Sequence, residues 1–191
     1  RDVFESRGLG DVYKRQTFIT VLAIIYSIEH LPEPKSPKGF LALILVLETG
    51  MNGTFVALDL ILFFVFFEIV LLPMYFMIGI WGDKTVRTVA GFKNQIETRL
   101  YASIKFFVFT LFGSAFMLLG FLGLYYRGNR TFSIPELIEL GTNGAFTGTF
   151  AMLVFAVLFL GFAVKVPMWP LHTWLPDAHT AAPTCLLYTP D

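Results

Sequence analysis

Apolar residues in this chain come in long runs separated by short polar stretches, and several runs are long enough to cross a bilayer, for which about 20 apolar residues suffice. Five spans are predicted, over residues 17–31, 39–57, 58–81, 101–126 and 148–175. The first is short for a span. The apolar stretch Phe40–Trp81 would reach about 63 Å as one helix, twice the bilayer core, so it must turn inside. A turn at Ala57-Leu58-Asp59 divides it into two proper spans, and Asp59 then caps the second by accepting its orphan N–H groups. Gly113, Gly120 and Gly123 give the 101–126 span a small-residue face for close packing. Pro167, Pro170 and Pro176 prevent the last span from being one continuous helix. Ser133, with Glu136 three residues on, predicts a capping box opening a short surface helix.

The pattern is broken at two points by charge. Glu68 lies within Leu60–Trp81, about 13.5 Å beyond Asp59 by helical rise, near mid-membrane. Lys165 lies within the apolar run that starts at Phe150 and goes on to Leu175. Snorkelling near a helix end is the alternative for it, and the apolar residues after it (Val166, Met168, Trp169, Leu171, Trp174, Leu175) argue against that. Ionisable residues at bilayer depth are costly and mark functional paths. Pro73 lacks an N–H and leaves the carbonyl of Ile69 without its helical donor, beside Glu68. Pro167 and Pro170 are expected to free the carbonyls of Ala163 and Val166 in the same way. Broken backbone of this kind forms the ion sites of many transporters. One acid and one base on separate helices therefore suggest proton movement; a static ion pair joining helices is the alternative. Lys105, five residues into its span, is expected to snorkel to the surface, with a relay role open. Glu48, near the centre of the second span, is a lesser relay candidate. His172 can shuttle protons or serve as a structural hydrogen-bonding group. Asp177 is expected to cap the helix that follows Pro176.

Composition narrows the class. Only 15% of the 191 residues are charged, against roughly a quarter in soluble domains, which fits an all-α polytopic membrane protein with one membrane domain over residues 17–184. Net charge is zero and argues for no nucleic-acid partner. Cys185 is the single cysteine, so an internal disulfide or a multi-cysteine metal or cluster site is excluded. His172 and His179 have no ligand cluster to complete a zinc set. With no Gly-rich phosphate loop, the chain lacks the parts to bind NADH, flavin or an iron–sulfur centre itself. Residues 1–16 and 185–191 are expected to be non-native, because Asp11–Gln16 resembles translated sequencing-adapter sequence and the tail has the same look. Loops 32–39 and 82–100 hold six basic residues between them (Lys35, Lys38, Lys84, Arg87, Lys93, Arg99). The opposite side has Arg127 and Arg130, so the positive-inside rule places the two richer loops in the cytoplasm.

The stretch from Phe162 to Thr184, with Lys165-Val-Pro-Met-Trp-Pro-Leu-His172 and Pro176-Asp177-Ala-His179, resembles the antiporter-like membrane subunits of respiratory complex I. So does Asp59–Phe76 with Glu68 and Pro73, which within that superfamily favours the subunit M (chain 4) group, and Ala102–Thr110 with Lys105 fits the same group. The resemblance implies a proton-translocating subunit of NADH:quinone oxidoreductase in which Glu68 and Lys165 form the proton-transfer pair. It implies part of the first of two inverted repeats, and a bacterial inner (cytoplasmic) membrane location. It implies the other membrane subunits of the complex as partners, with NADH, FMN, iron–sulfur clusters and quinone held in other subunits. A subunit of an Mrp-type Na⁺/H⁺ antiporter or of a membrane-bound hydrogenase is the alternative, since both share the lysine motif.

Overall fold

The computed structural model describes residues 2–30, 36–87 and 96–183, with side chains described from Lys14 onward. The chain is a bundle of helices: α1 (Asp2–His30), α2 (Pro37–Val56), α3 (Leu60–Ile69), α4 (Leu71–Trp81), α5 (Thr98–Arg127), α6 (Ile134–Thr142), α7 (Gly148–Lys165) and α8 (Trp174–Ala181). A two-stranded antiparallel ribbon, β1 (Val86–Arg87) with β2 (Ile96–Glu97), closes the connection between α4 and α5. Among the described residues, four segments are long and apolar enough to span a bilayer: Pro37–Val56, Leu60–Trp81, Thr98–Arg127 and Gly148–Lys165. They match four of the five predicted spans, and the fifth falls within α1. The expected leader also lies within α1, and the expected tail lies outside the described residues.

The predicted turn between the second and third spans is present. Asp59 Oδ1 accepts hydrogen bonds from the backbone N–H groups of Ile61 and Leu62, at 2.9 and 3.0 Å. The predicted capping box at Ser133 does not form. Ser133 is the N-cap residue of α6, but its side chain makes no capping bond. Its backbone instead forms an antiparallel bridge with Asp59, where Leu60 N–H donates to Phe132 O and Ile134 N–H to Leu58 O. That bridge, rather than the serine hydroxyl, sets the entry to α6 and ties the two connections on this side together.

Helices α3 and α4 are one span interrupted at Val70, between Glu68 and Pro73. The interruption is where the missing proline N–H predicts it. Two apolar clusters hold α4: Leu71 and Ile78 pack with Ala102, Phe106, Trp174, Ala178 and Ala181, and Met77 and Trp81 pack with Phe40 and Ile44. Large apolar side chains such as Met152, Phe155, Val108 and Phe112 face outward, as lipid contact requires.

Helices α5 and α7 approach closely along the glycine face. A Cβ on Gly161 would lie 2.8 Å from the carbonyl oxygen of Gly113, and a Cβ on Gly113 would lie 2.8 Å from Val164 Cβ. Backbone cannot yield as a flexible side chain can, so these two glycines set the helix separation. Gly161→Ala in the full-length subunit is therefore expected to cost about 1–3 kcal/mol, the usual penalty of overpacking. Thermal unfolding in detergent measures it, and an unchanged midpoint would show that the helices have room to spare.

Candidate functional site

Glu68 is the penultimate residue of α3, and Lys165 is the last of α7. The structure brings them together: Lys165 Nζ lies 3.2 Å from Glu68 Oε1. The side chains are only 20% and 13% exposed, so each is largely withdrawn from its surroundings and depends on the other for charge compensation. Phe67 presents its ring face to the ammonium, with Nζ 4.7 Å from the centroid. Ser114, on α5, donates its hydroxyl hydrogen to the same Glu68 oxygen. Both contacts fall on Oε1. Sequence reading missed Ser114; the signal was its place beside Gly113 on the small-residue face of α5.

The backbone after Lys165 is broken, as its prolines require, but the freed carbonyls differ from expectation. Ala163 O is not left open, because the N–H of Met168 reaches back to it at 2.9 Å. Val164 O accepts from the Trp174 indole Nε1, also at 2.9 Å. Non-helical turns then lead through residues 166–173 to α8. The indole thus re-satisfies the break from the next helix, the condition under which irregular backbone survives at membrane depth.

Lys105 does not snorkel. Its Nζ lies 2.6 Å from Asp177 Oδ2 on α8 and 5.6 Å from the Tyr101 ring centroid. Asp177 therefore pairs across helices rather than capping α8, whose N-cap residue is Thr173. The reason is position: α5 and α8 pack through Phe106 and Trp174, Lys105 is next to Phe106, and Asp177 lies about one turn beyond Trp174, so the two charged groups meet. Glu48, half-buried on α2, makes no ion pair with a described residue. His172 keeps a buried Nδ1 without a hydrogen-bond partner among the described residues. His179 is exposed and lines a cavity of about 690 Å³ together with Gln16, Thr20, Thr110 and Lys165. No group of three or more His, Cys, Asp or Glu side chains gathers at one point among the described residues.

A carboxylate and an ammonium that meet at a helix break, inside a bundle of apolar spans, define a polytopic membrane protein with the discontinuous-helix architecture of transporters. Residues 57–187 match the family described as NADH:quinone oxidoreductase/Mrp antiporter, TM, and the chain belongs to that family. It is 44% identical over 156 residues to NADH-quinone oxidoreductase subunit M of Rhodobacter capsulatus, a match that covers 77% of this chain and 28% of that protein. Among solved structures, respiratory complex I from Thermus thermophilus with bound NADH contains a chain that is 31% identical with a TM-score of 0.71, covering 92% of this chain and 33% of that one. The Mrp complex from Dietzia sp. DQ12-45-1b shares the fold, at 23% identity and a TM-score of 0.66, over 86% of this chain and 28% of that one. The chain spans about 30% of the length of the curated relatives it matches.

The Lys105–Asp177 contact makes a direct prediction. In the full-length subunit, Lys105→Met and Asp177→Asn should each destabilise, and the double variant should lose less than the sum. A coupling of about 0.5–3 kcal/mol is expected for contacting residues. Thermal or chemical unfolding of the four proteins measures it, and strict additivity would mean that the pair does not hold α8 to α5.

Proposed function

We propose that this chain forms part of a proton-translocating membrane subunit of an NADH:quinone oxidoreductase, and that Glu68 and Lys165 are its proton-transfer pair. The observation that carries the reading is the 3.2 Å contact between the two side chains at the break in α7. An intramembrane acid and base in contact can exchange a proton, and each compensates the charge of the other. Separating them removes that support and drives the lysine proton onward; bringing them back together favours reloading. The family relationship supports the setting, and the 44% identity to a subunit M favours the quinone-reductase branch over the Mrp branch, where the likeness is one of fold.

Energy for the separation has to come from outside the pair. Moving one charge through a 100 mV potential takes about 2.3 kcal/mol, so redox chemistry in the other subunits must act on the field at this site. The other membrane subunits are the partners in this reading, the bacterial inner membrane is the location, and the redox cofactors reside elsewhere in the assembly. Lys105 and His172 are then secondary participants. Lys105 acts through its hold on Asp177, whereas His172 lies in the broken segment with its Nδ1 unpartnered among the described residues. Glu48 has no described partner that connects it to the pair, and it remains a relay candidate by its depth alone.

The test uses the full-length subunit in its assembled complex. Glu68→Gln and Lys165→Ala should each cut proton translocation, measured by dye quenching in inverted membrane vesicles, by at least about tenfold, corresponding to roughly 1.4 kcal/mol or more of lost stabilisation. Wild-type translocation per NADH oxidised in both variants would leave the pair a purely structural tie.

A further inference from the structure

Ser114 has one hydroxyl hydrogen and two acceptors within reach. One is Glu68 Oε1, and the other is the carbonyl oxygen of Thr110, one turn back on α5, at 2.9 Å. A serine hydroxyl can donate to only one of them at a time, but it keeps two lone pairs that can accept. Its side chain is 1% exposed, so water does not compete for the hydrogen. Gly113, beside it, brings α5 against Val164 and Gly161 of α7, and this close approach puts Ser114 next to the Glu68–Lys165 pair.

We infer that Ser114 is a two-position hydroxyl that positions Glu68 in both of its protonation states. When Glu68 is ionised, Ser114 donates to Oε1, beside the lysine ammonium. When Glu68 holds a proton, the acid O–H donates to Ser114 Oγ, and the serine hydrogen turns to Thr110 O. In each state the serine hydroxyl keeps a hydrogen-bond partner for its hydrogen by rotation about its own Cβ–Oγ bond, with no movement of the helix backbone. Serine bonding to the carbonyl four residues back is an ordinary resting place for such a hydroxyl. Thr110, also 1% exposed, completes the ladder by donating to Phe106 O at 2.7 Å, so its own hydroxyl hydrogen is occupied. Ser114 is thus a positioning residue: it does not carry the transferred proton across the membrane, but it keeps the carboxyl group aimed at Lys165 whichever state it is in.

This inference rests on the proposed role of Glu68, and the experiment separates the two. Full-length complexes carrying wild-type subunit, Glu68→Gln, Ser114→Ala and Ser114→Thr are compared by proton translocation in vesicles and by redox-induced infrared difference spectra. The carboxyl band lost in Glu68→Gln reports on Glu68. Ser114→Ala should shift that band and slow translocation about tenfold, the effect of removing one hydrogen bond from a charged group. Ser114→Thr, which retains the hydroxyl, should restore both. If Ser114→Ala slows translocation but leaves the band in place, or leaves both unchanged, the positioning role is overturned while Glu68 keeps its own. A threonine that fails to restore the band overturns it as well. If Glu68→Gln itself translocates protons normally, the reading of the pair fails, and the role of Ser114 falls with it.

Discussion

A charge in hydrocarbon must find an opposite charge or a polar partner, and this requirement organises the described fold around the contact of Glu68 with Lys165. Neither residue has a neighbour on its own helix that could serve. The partner has to come from another span, so α3 and α7 are joined at this depth by electrostatics, where apolar packing alone would leave their relative position loosely specified. Ser114 and the Phe67 ring complete the surroundings of the pair with one hydroxyl hydrogen and one aromatic face.

Glycine and proline do complementary work around that contact. Gly113 and Gly161 let α5 and α7 meet nearly backbone to backbone, which delivers Ser114 to the carboxylate. Pro73 weakens the span that carries Glu68 at Val70, and Pro167 ends the regular helix that carries Lys165. Both charged residues therefore sit at places where the helical ladder is already interrupted. The interruptions are mended from nearby, by Met168 N–H on Ala163 O and by the Trp174 indole on Val164 O. Asp177, on the same short helix as Trp174, is tied by Lys105 to α5. Helix α8 is thus fixed from three sides, by the ion pair to α5, by the indole hydrogen bond to the end of α7, and by Trp174, Ala178 and Ala181 packed into the core.

Much of this was legible from residue order, because the bilayer imposes strong and local rules. Run lengths placed the four long spans, the length of Phe40–Trp81 required the turn, and Asp59 was readable as its cap. Glu68 and Lys165 stood out because charge is rare in apolar runs. What could not be read was who meets whom. Lys105 was placed near the water by its distance from the helix end, yet it turns to Asp177, which is 72 residues away in sequence. Ser133 satisfied the spacing of a capping box, but its backbone is claimed by a bridge to Asp59. The missing proline N–H predicts an open Ala163 O, but a regular ladder cannot show a donor arriving from five residues on. Ser114 carries no charge and breaks no pattern; its one sequence signal is its place beside Gly113 on the small-residue face of α5, and the contact with Glu68 gives that place its meaning. Apart from the local Met168–Ala163 contact, these misses share one cause: partners brought from distant parts of the chain leave no trace in the spacing along any one segment.

The mutual stabilisation of two membrane-buried charges is tested most directly by unfolding the full-length subunit as wild type, Glu68→Gln, Lys165→Met and the double variant. Removing either partner alone leaves the other charge uncompensated, so each single variant should lose about 3–5 kcal/mol, and the double variant should recover most of that loss. Four stabilities in which the double variant loses the sum of the two singles would contradict the account.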